Sequence, residues 1–156
     1  MKEDGHEIGG AIVLECVGYA SATEGSQRMP PGVPIAVPTV GDFLAIVGNT
    51  ASAALVAAVE GAAKERVPDL KTVALIVPGN GELLPDSRRS DHAAFWHYGY
   101  PAVMLTDTAN FRNPNYHAST DTIETLDLGF MEKVAQTTTA TVIHLCAKPG
   151  AVGRHD

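Results

Sequence analysis

The chain has 156 residues and a mass of 16.4 kDa, which is the size of one domain or of part of a larger one. Hydrophobic residues make up 45% and charged residues 19%, so the composition supports a packed core and excludes a fully disordered chain. A net charge of −7 argues against general nucleic-acid binding, which requires a basic surface.

Residues 1–7 are polar and acidic, unlike a secretory signal, and no apolar run approaches the roughly 20 residues of a membrane span. The chain as it stands is therefore expected to be cytoplasmic. Its two cysteines, Cys16 and Cys146, form neither a disulfide framework nor a CxxC metal knuckle. Both lie in apolar runs, which predicts buried free thiols.

The first half of the chain predicts two strands on either side of a long loop. Residues 11–17 are an apolar, β-branched run interrupted by one carboxylate, which indicates a buried strand. Residues 19–41 contain four prolines and predict a loop, of a length that is usually functional or disordered. Residues 43–47 predict the second strand.

A helix is expected after the second strand and ends at Pro68. Its cap is expected to be Asn49, Thr50 or Ser52. One helical face is apolar and is predicted to be buried; it consists of Leu55, Val56, Val59 and Ala63.

The second half predicts two more strands, at residues 72–77 and 101–106, both buried. Between them, a short helix is expected to start at Ser90 or Asp91 and to stop near Gly99. A polar loop at residues 107–125 follows the fourth strand.

The last helix is expected to start near Asp127, and residues 148–156 are expected to form a frayed tail. Its spacing predicts one apolar stripe, made of Met131, Val134, Ala135, Thr138, Val142 and Leu145.

Strands that are unbroken apolar runs separated by helices predict an α/β fold, with helices on both faces of a mixed, mostly parallel sheet. No internal repeat or domain boundary is visible, so residues 1–156 are predicted to form a single domain. Functional groups of such sheets gather in loops beyond the strand ends.

Glu15 is the first candidate for chemistry. A carboxylate at the end of a buried strand is costly unless it is paired or bound to a metal. Alternatively, the strand ends at Leu14 and Glu15 lies at a solvated edge.

Ser90-Asp91-His92 is the second candidate, although Ser90 or Asp91 could simply cap the helix. His92 and His97 are five residues apart, which is not the i, i+4 spacing of a helical zinc pair, so they are not predicted to be joint ligands.

The third candidate is the segment at residues 107–122, which is rich in hydrogen-bonding side chains and follows a buried strand. His117 could ligate a metal through neutral imidazole. Tyr116 could donate to a developing oxyanion, and Asp121 could support a ligand from outside the coordination shell.

These motifs together resemble a known family. Ser90-Asp91-His92, Phe111-Arg112-Asn113-Pro114, Tyr116-His117 and Asp121-Thr122, preceded by Leu14-Glu15-Cys16-Val17-Gly18, are similar to the C-terminal half of zinc-dependent aminopeptidases of metallopeptidase family 28. Bacterial leucyl aminopeptidases belong to this family, and glutaminyl cyclase is a relative. The resemblance implies a three-layer α/β/α sandwich, the zinc-exopeptidase fold, of which this chain would be a part.

The resemblance also implies a site with two zinc ions, which polarise the scissile carbonyl and activate a bridging water while a free carboxylate acts as base. Glu15 matches a carboxylate ligand of one zinc, and His117 matches the histidine ligand of the other. Tyr116 matches the residue that supports the tetrahedral intermediate. Arg89 and Asp91 match positions near the substrate pocket.

The family supplies its other ligands and its base from upstream His-x-Asp and Glu-Glu motifs. Only 14 residues precede Glu15, and they contain His6 and Glu7 but neither motif. At most two zinc-binding side chains are therefore present, and the chain alone is expected to be inactive on peptide or aminoacyl substrates.

Three alternatives remain open: a split enzyme whose missing N-terminal half is a partner, a non-catalytic remnant or assembly module, and a fragment of a glutaminyl-cyclase-like acyltransferase. Missing strands would also leave an exposed sheet edge, which predicts self-association.

Overall fold

The computed structural model describes residues 8–147. Four strands form one sheet in the spatial order first, fourth, second, third along the chain. Both outer pairs are parallel, and the central pair is antiparallel, so the sheet is mixed and mostly parallel, as predicted. The strands are β1 (Ala11–Glu15), β2 (Phe43–Asn49), β3 (Lys71–Val77) and β4 (Ala102–Thr106).

Within residues 8–147, three α-helices cover this sheet on both faces, which confirms the three-layer α/β/α prediction. They are α1 (Ala53–Arg66), α2 (His92–His97) and α3 (Leu128–Ala147). Helices α1 and α3 pack on one face against Leu44, Ile46 and Leu105. On the other face, Trp96 of α2 packs with Val47 and Met104. Alternate residues of β2 therefore belong to different layers, as the pleat of a strand requires.

The connection from β2 to α1 is built around Asn49, whose side chain accepts hydrogen bonds from the backbone N–H of Ser52 (3.1 Å) and from its hydroxyl (2.6 Å). This confirms Asn49 as the cap, although it caps a short 3₁₀ turn that leads into α1. The predicted apolar face of α1 is buried. A Cβ on Gly48 would lie 2.5 Å from Val56, so only glycine allows the helix this close to the strand.

Three predictions about burial are wrong in whole or in part. Strands β1 and β3 form the two edges of the sheet, so most of their side chains are only partly buried, and Leu14 and Ile76 are exposed. Helix α3 buries Phe130, Val134, Thr137 and Thr141, of which only Val134 belongs to the predicted stripe. Met131, Thr138 and Leu145 of that stripe are partly buried. Ala135 and Val142 are exposed because α3 turns its threonine-containing face toward the core and α1.

The cysteine prediction is also partly wrong. Cys146 is exposed near the end of α3, because it lies on the helical face that turns away from the core, whereas Cys16 is half-buried. The expected frayed tail at residues 148–156, together with His6 and Glu7, lies outside the described residues.

Candidate functional site

The end of β1 presents Glu15 to the start of α2. Ser90 donates its hydroxyl hydrogen to Glu15 Oε2 (2.8 Å), and the Cys16 thiol donates to Oε1 (3.2 Å). Glu15 is half-buried and belongs to the strand, so the alternative of a strand ending at Leu14 is not supported. Burial, together with the hydrogen bond to Glu15, raises the pKa of Cys16 to about 12.

Asp91 and His92, which follow Ser90 in the same motif, differ in their exposure. Asp91 stands exposed at the cap position of α2, but its side chain makes no capping bond. His92 is fully buried and donates from Nε2 to the Ser87 carbonyl (2.7 Å). Burial lowers the pKa of His92, which favours the neutral ring. His92 is therefore a core side chain, and His97 is exposed, which agrees with the prediction that they are not joint ligands.

Asp107 joins the segments that follow β1 and β4. Its carboxylate accepts from the backbone N–H groups of Gly18 (3.1 Å), Tyr19 (2.8 Å) and Ala109 (2.8 Å). Its own N–H donates to the Cys16 carbonyl (2.6 Å). Burial raises the pKa of Asp107, and these hydrogen bonds oppose that rise. The position of the chain just after Glu15 therefore depends on the loop after β4.

Backbone strain is concentrated in the same two segments. All non-glycine residues with positive φ among residues 8–147 lie there: Cys16 (50°), Thr108 (74°), Ala109 (48°) and His117 (59°). Such conformations are costly for residues with a Cβ and persist where surrounding contacts enforce them, often at functional sites.

Tyr116 and His117 form a stacked pair, with ring centroids 3.9 Å apart and an interplanar angle of 15°. The Arg89 guanidinium lies 5.9 Å from the centre of the Tyr116 ring. Arg89 donates to the Asn110 side chain (2.7 Å) and contacts the Tyr116 hydroxyl at 3.5 Å. The structure thus brings Arg89, Tyr116 and His117 together. The Asp121 carboxylate accepts from Asn113 (3.3 Å), so its support of His117 stays a prediction.

A cavity of about 110 Å³ opens beside these residues. Glu15, Arg89 and Tyr116 are among its polar lining residues, whereas Asp91 and His117 do not line it. Most of the remaining wall is apolar and comes from the sheet face on the α2 side and from residues 30–37 of the proline-rich loop. The predicted loop is therefore part of the site. The sequence signal for this wall, not used in the prediction above, is that the apolar residues Val33, Ile35 and Val37 alternate with other residues.

Gln27 and Arg112 fasten that loop to the site. Arg112 donates from Nε to Gln27 Oε1 (2.8 Å) and from Nη1 to the Phe43 carbonyl (2.8 Å). Thr108 also bonds to the Gln27 side chain. Burial lowers the pKa of Arg112 to about 10, so the group remains a cation at neutral pH. These residues were not predicted as functional, because their pairing joins distant parts of the chain.

The donor atoms fit zinc only in part. A carboxylate and an imidazole are ligands that zinc accepts, and Tyr116, which stacks on His117, lines the same cavity as Glu15. Within residues 8–147, however, no group of three or more His, Cys, Asp or Glu side chains could hold a metal ion. The described residues therefore do not close a zinc coordination shell. None of the helices there is long and apolar enough to cross a membrane.

Comparisons with known proteins agree with the motif resemblance. A sequence model described as peptidase family M28 matches residues 40–142. The uncharacterized protein YfbL of Escherichia coli K12 is 37% identical over 124 residues, which are 79% of this chain and 37% of YfbL.

Two solved structures from Legionella pneumophila share the fold. The LapA aminopeptidase aligns with a TM-score of 0.64 and 15% identity, over 99% of this chain and 34% of LapA. LapB aligns with a TM-score of 0.54 and 16% identity, over 86% of this chain and 31% of LapB. The chain thus spans about a third of the length of these relatives.

Proposed function

The chain belongs to peptidase family M28, and we propose that it carries one part of the zinc centre of an aminopeptidase. The observation that supports this best is that Glu15 and Tyr116 line one cavity and that His117 stacks on Tyr116. In the proposal, Glu15 and His117 are the metal ligands that this chain contributes. The remaining ligands come from residues that the described structure does not hold.

Four neighbouring side chains support the two proposed ligands and the reaction. The hydrogen bonds from Ser90 and Cys16 orient the Glu15 carboxylate, and stacking on Tyr116 restricts the His117 ring. Zinc bound there would polarise the scissile carbonyl and activate a water. The Tyr116 hydroxyl would donate to the developing oxyanion, and Arg89 would hold Tyr116 in position through their contact.

The proposed function implies both a class of substrate and a low turnover for the chain alone. An aminoacyl or peptide substrate would place its scissile bond near Tyr116. Because two ligands cannot form a closed shell and no base is identified, the chain alone should have negligible turnover. An aminoacyl chromogenic substrate with added zinc tests this point. Turnover comparable to that of an ordinary aminopeptidase would show that the site is complete without further residues.

The metal ligands are tested by titrating the chain with zinc while the imidazole Cε1–H signals of its histidines are followed by NMR. We expect His117 to respond first and Glu15→Gln to weaken that response by about tenfold or more, because the carboxylate ligand is lost. His97→Gln, which removes an exposed histidine, is the matched control. If Glu15→Gln leaves the His117 response unchanged, the two residues do not share a metal site.

A further inference from the structure

Among residues 8–147, strand β1 has a neighbour on one side only, which is β4. The Ala11 N–H donates to the Pro101 carbonyl (3.0 Å), just before β4. Because the backbone groups of successive strand residues point to opposite sides, those of Ala11 and Val13 point toward β4, and those of Ile12 and Leu14 point away from the sheet. The outer side of β1 therefore presents N–H and C=O groups that can pair with another strand.

The sequence of β1 does not discourage such pairing. Natural edge strands are commonly protected by lysine or proline. The opposite edge, β3, begins with the exposed Lys71 and is followed directly by Pro78. In contrast, β1 contains neither residue type over its length, and its Leu14 side chain is 47% exposed. Of the two edges, β1 is thus the one open to a further strand.

We propose that a second copy of this chain adds its own β1 to this edge, antiparallel to the first, about a two-fold axis at Val13. Ile12 of one copy then lies opposite Leu14 of the other, and each such pair exchanges both of its N–H···O=C bonds. Glu15, which carries the charge of the strand, lies opposite the uncharged Ala11, so like charges do not meet.

The direction of the backbone groups selects this register. Outward-pointing residues must face each other, so the two-fold axis can move only from one residue to another that preserves this match. An axis at Ile12 places Leu14 opposite Gly10, beyond the end of the strand. An axis at Leu14 extends the pairing to Cys16, whose φ of 50° has already ended the extended conformation. The axis at Val13 pairs all 5 residues of β1.

The same register covers exposed apolar surface. Ile12 packs against the cluster beneath α1 and α3, and Leu14 shares its face of the strand because side chains alternate. In the dimer, the Ile12 and Leu14 side chains of both copies form one cross-strand cluster. A standard interface has roughly 20–30 residues on each side. A strand of 5 residues is far smaller, so we infer a weak dimer with a dissociation constant on the order of 100 µM.

The test is sedimentation equilibrium of the full chain over a range of on the order of 10 µM to 1 mM, which brackets a weak interface. EDTA is present so that a metal cannot bridge two copies, which makes the result independent of the proposed zinc site. We expect the mass to rise with concentration from 16.4 kDa toward twice that value. A monomer throughout overturns the inference and leaves this edge to a different polypeptide, and growth beyond a dimer overturns the two-fold axis.

Two matched variants locate the interface. Leu14→Lys should weaken the association by about tenfold or more, because a charge would enter the apolar cluster. Ile76→Lys, at an equally exposed position of the opposite edge (46%), should not change it. An equal effect of the two substitutions, or an effect of Ile76→Lys alone, contradicts an interface at β1.

The register is tested by cross-linking in a background that carries Cys146→Ser. Val13→Cys places two thiols opposite each other at a non-hydrogen-bonded pair, with Cα atoms about 4.5 Å apart, within the range of a disulfide. Oxidised glutathione should therefore link the two copies of this variant. Ile12→Cys lies opposite Leu14 and should cross-link at least about tenfold more slowly. Cys16 is present in both variants, so its contribution cancels. Equal or faster cross-linking of Ile12→Cys overturns the axis at Val13.

Discussion

The Ser90 hydroxyl donates to the Glu15 carboxylate over 2.8 Å and so connects the segment before α2 to the end of β1, 75 residues away along the chain. Cys16 supplies the second donor to the same carboxylate. Together these bonds fix the direction in which the Glu15 lone pairs point. Hydrogen bonds of this kind to a ligand commonly alter metal affinity by about 10- to 100-fold.

The first prediction therefore concerns Ser90→Ala. The variant should weaken the zinc response of His117 by about tenfold, because Glu15 loses an orienting bond. Ser90→Thr keeps the hydroxyl and should restore most of the response. The measurement is the zinc titration followed at the His117 Cε1–H signal. Equal responses in Ser90→Ala and the unmodified chain would show that this bond does not orient the carboxylate.

The second prediction concerns the reactivity of the two cysteines. Because the thiolate is the reacting form, and because burial and Glu15 raise the pKa of Cys16 to about 12, Cys16 should react slowly with iodoacetamide near pH 8. Cys146 is exposed and should react on the order of a hundredfold faster. Mass spectrometry of quenched samples measures both rates. Glu15→Gln should accelerate Cys16 and leave Cys146 unchanged.

Much of the fold was predictable because its strands are continuous apolar runs. The strand containing Glu15, the helix capped by Asn49 and the α/β/α layering all follow from local sequence patterns. Tyr116 and His117 were found through a motif, which reports many neighbouring positions at once. Their rings are stacked in the structure, and their assignment to a shared site stays a prediction.

The remaining features depend on contacts between distant residues. Gln27 and Arg112 are 85 positions apart, and nothing near either one indicates their pairing. The burial of α3 was mispredicted in part because Thr137 and Val142 are both β-branched and of similar size, and packing against α1 decides which is buried. The exposure of β3 depends on its place in the strand order, which local patterns do not contain.

The third prediction is a pH dependence caused by His92. Burial lowers the pKa of His92 in the folded state below its ordinary value of 6.5. Below pH 6.5 the unfolded chain therefore binds a proton that the folded chain does not, and the stability present above pH 6.5 is lost as the pH falls. Stability should therefore rise with pH in this range, with a slope no steeper than the one-proton limit of about 1.4 kcal/mol per pH unit. Urea unfolding at several pH values measures it.

His92→Gln should reduce this pH dependence, because the amide keeps a donor for the Ser87 carbonyl but does not titrate in this range. His97→Gln on the same helix should leave the dependence intact, since His97 is exposed. A slope that is lost in His97→Gln, or that persists in His92→Gln, would assign the effect to another group.

The fourth prediction concerns Asp107, whose carboxylate accepts from three backbone N–H groups. In Asp107→Asn the side-chain NH₂ replaces one oxygen, so Gly18 and Tyr19 lose their acceptor, at a cost of about 2–4 kcal/mol in the free energy of unfolding. Asp127→Asn is the matched control, because asparagine also caps helices well. Urea unfolding gives the two free energies, and the Gly18 and Tyr19 amide NMR shifts report the bonds directly. Equal stability of the two variants would show that Asp107 does not hold the segment after β1.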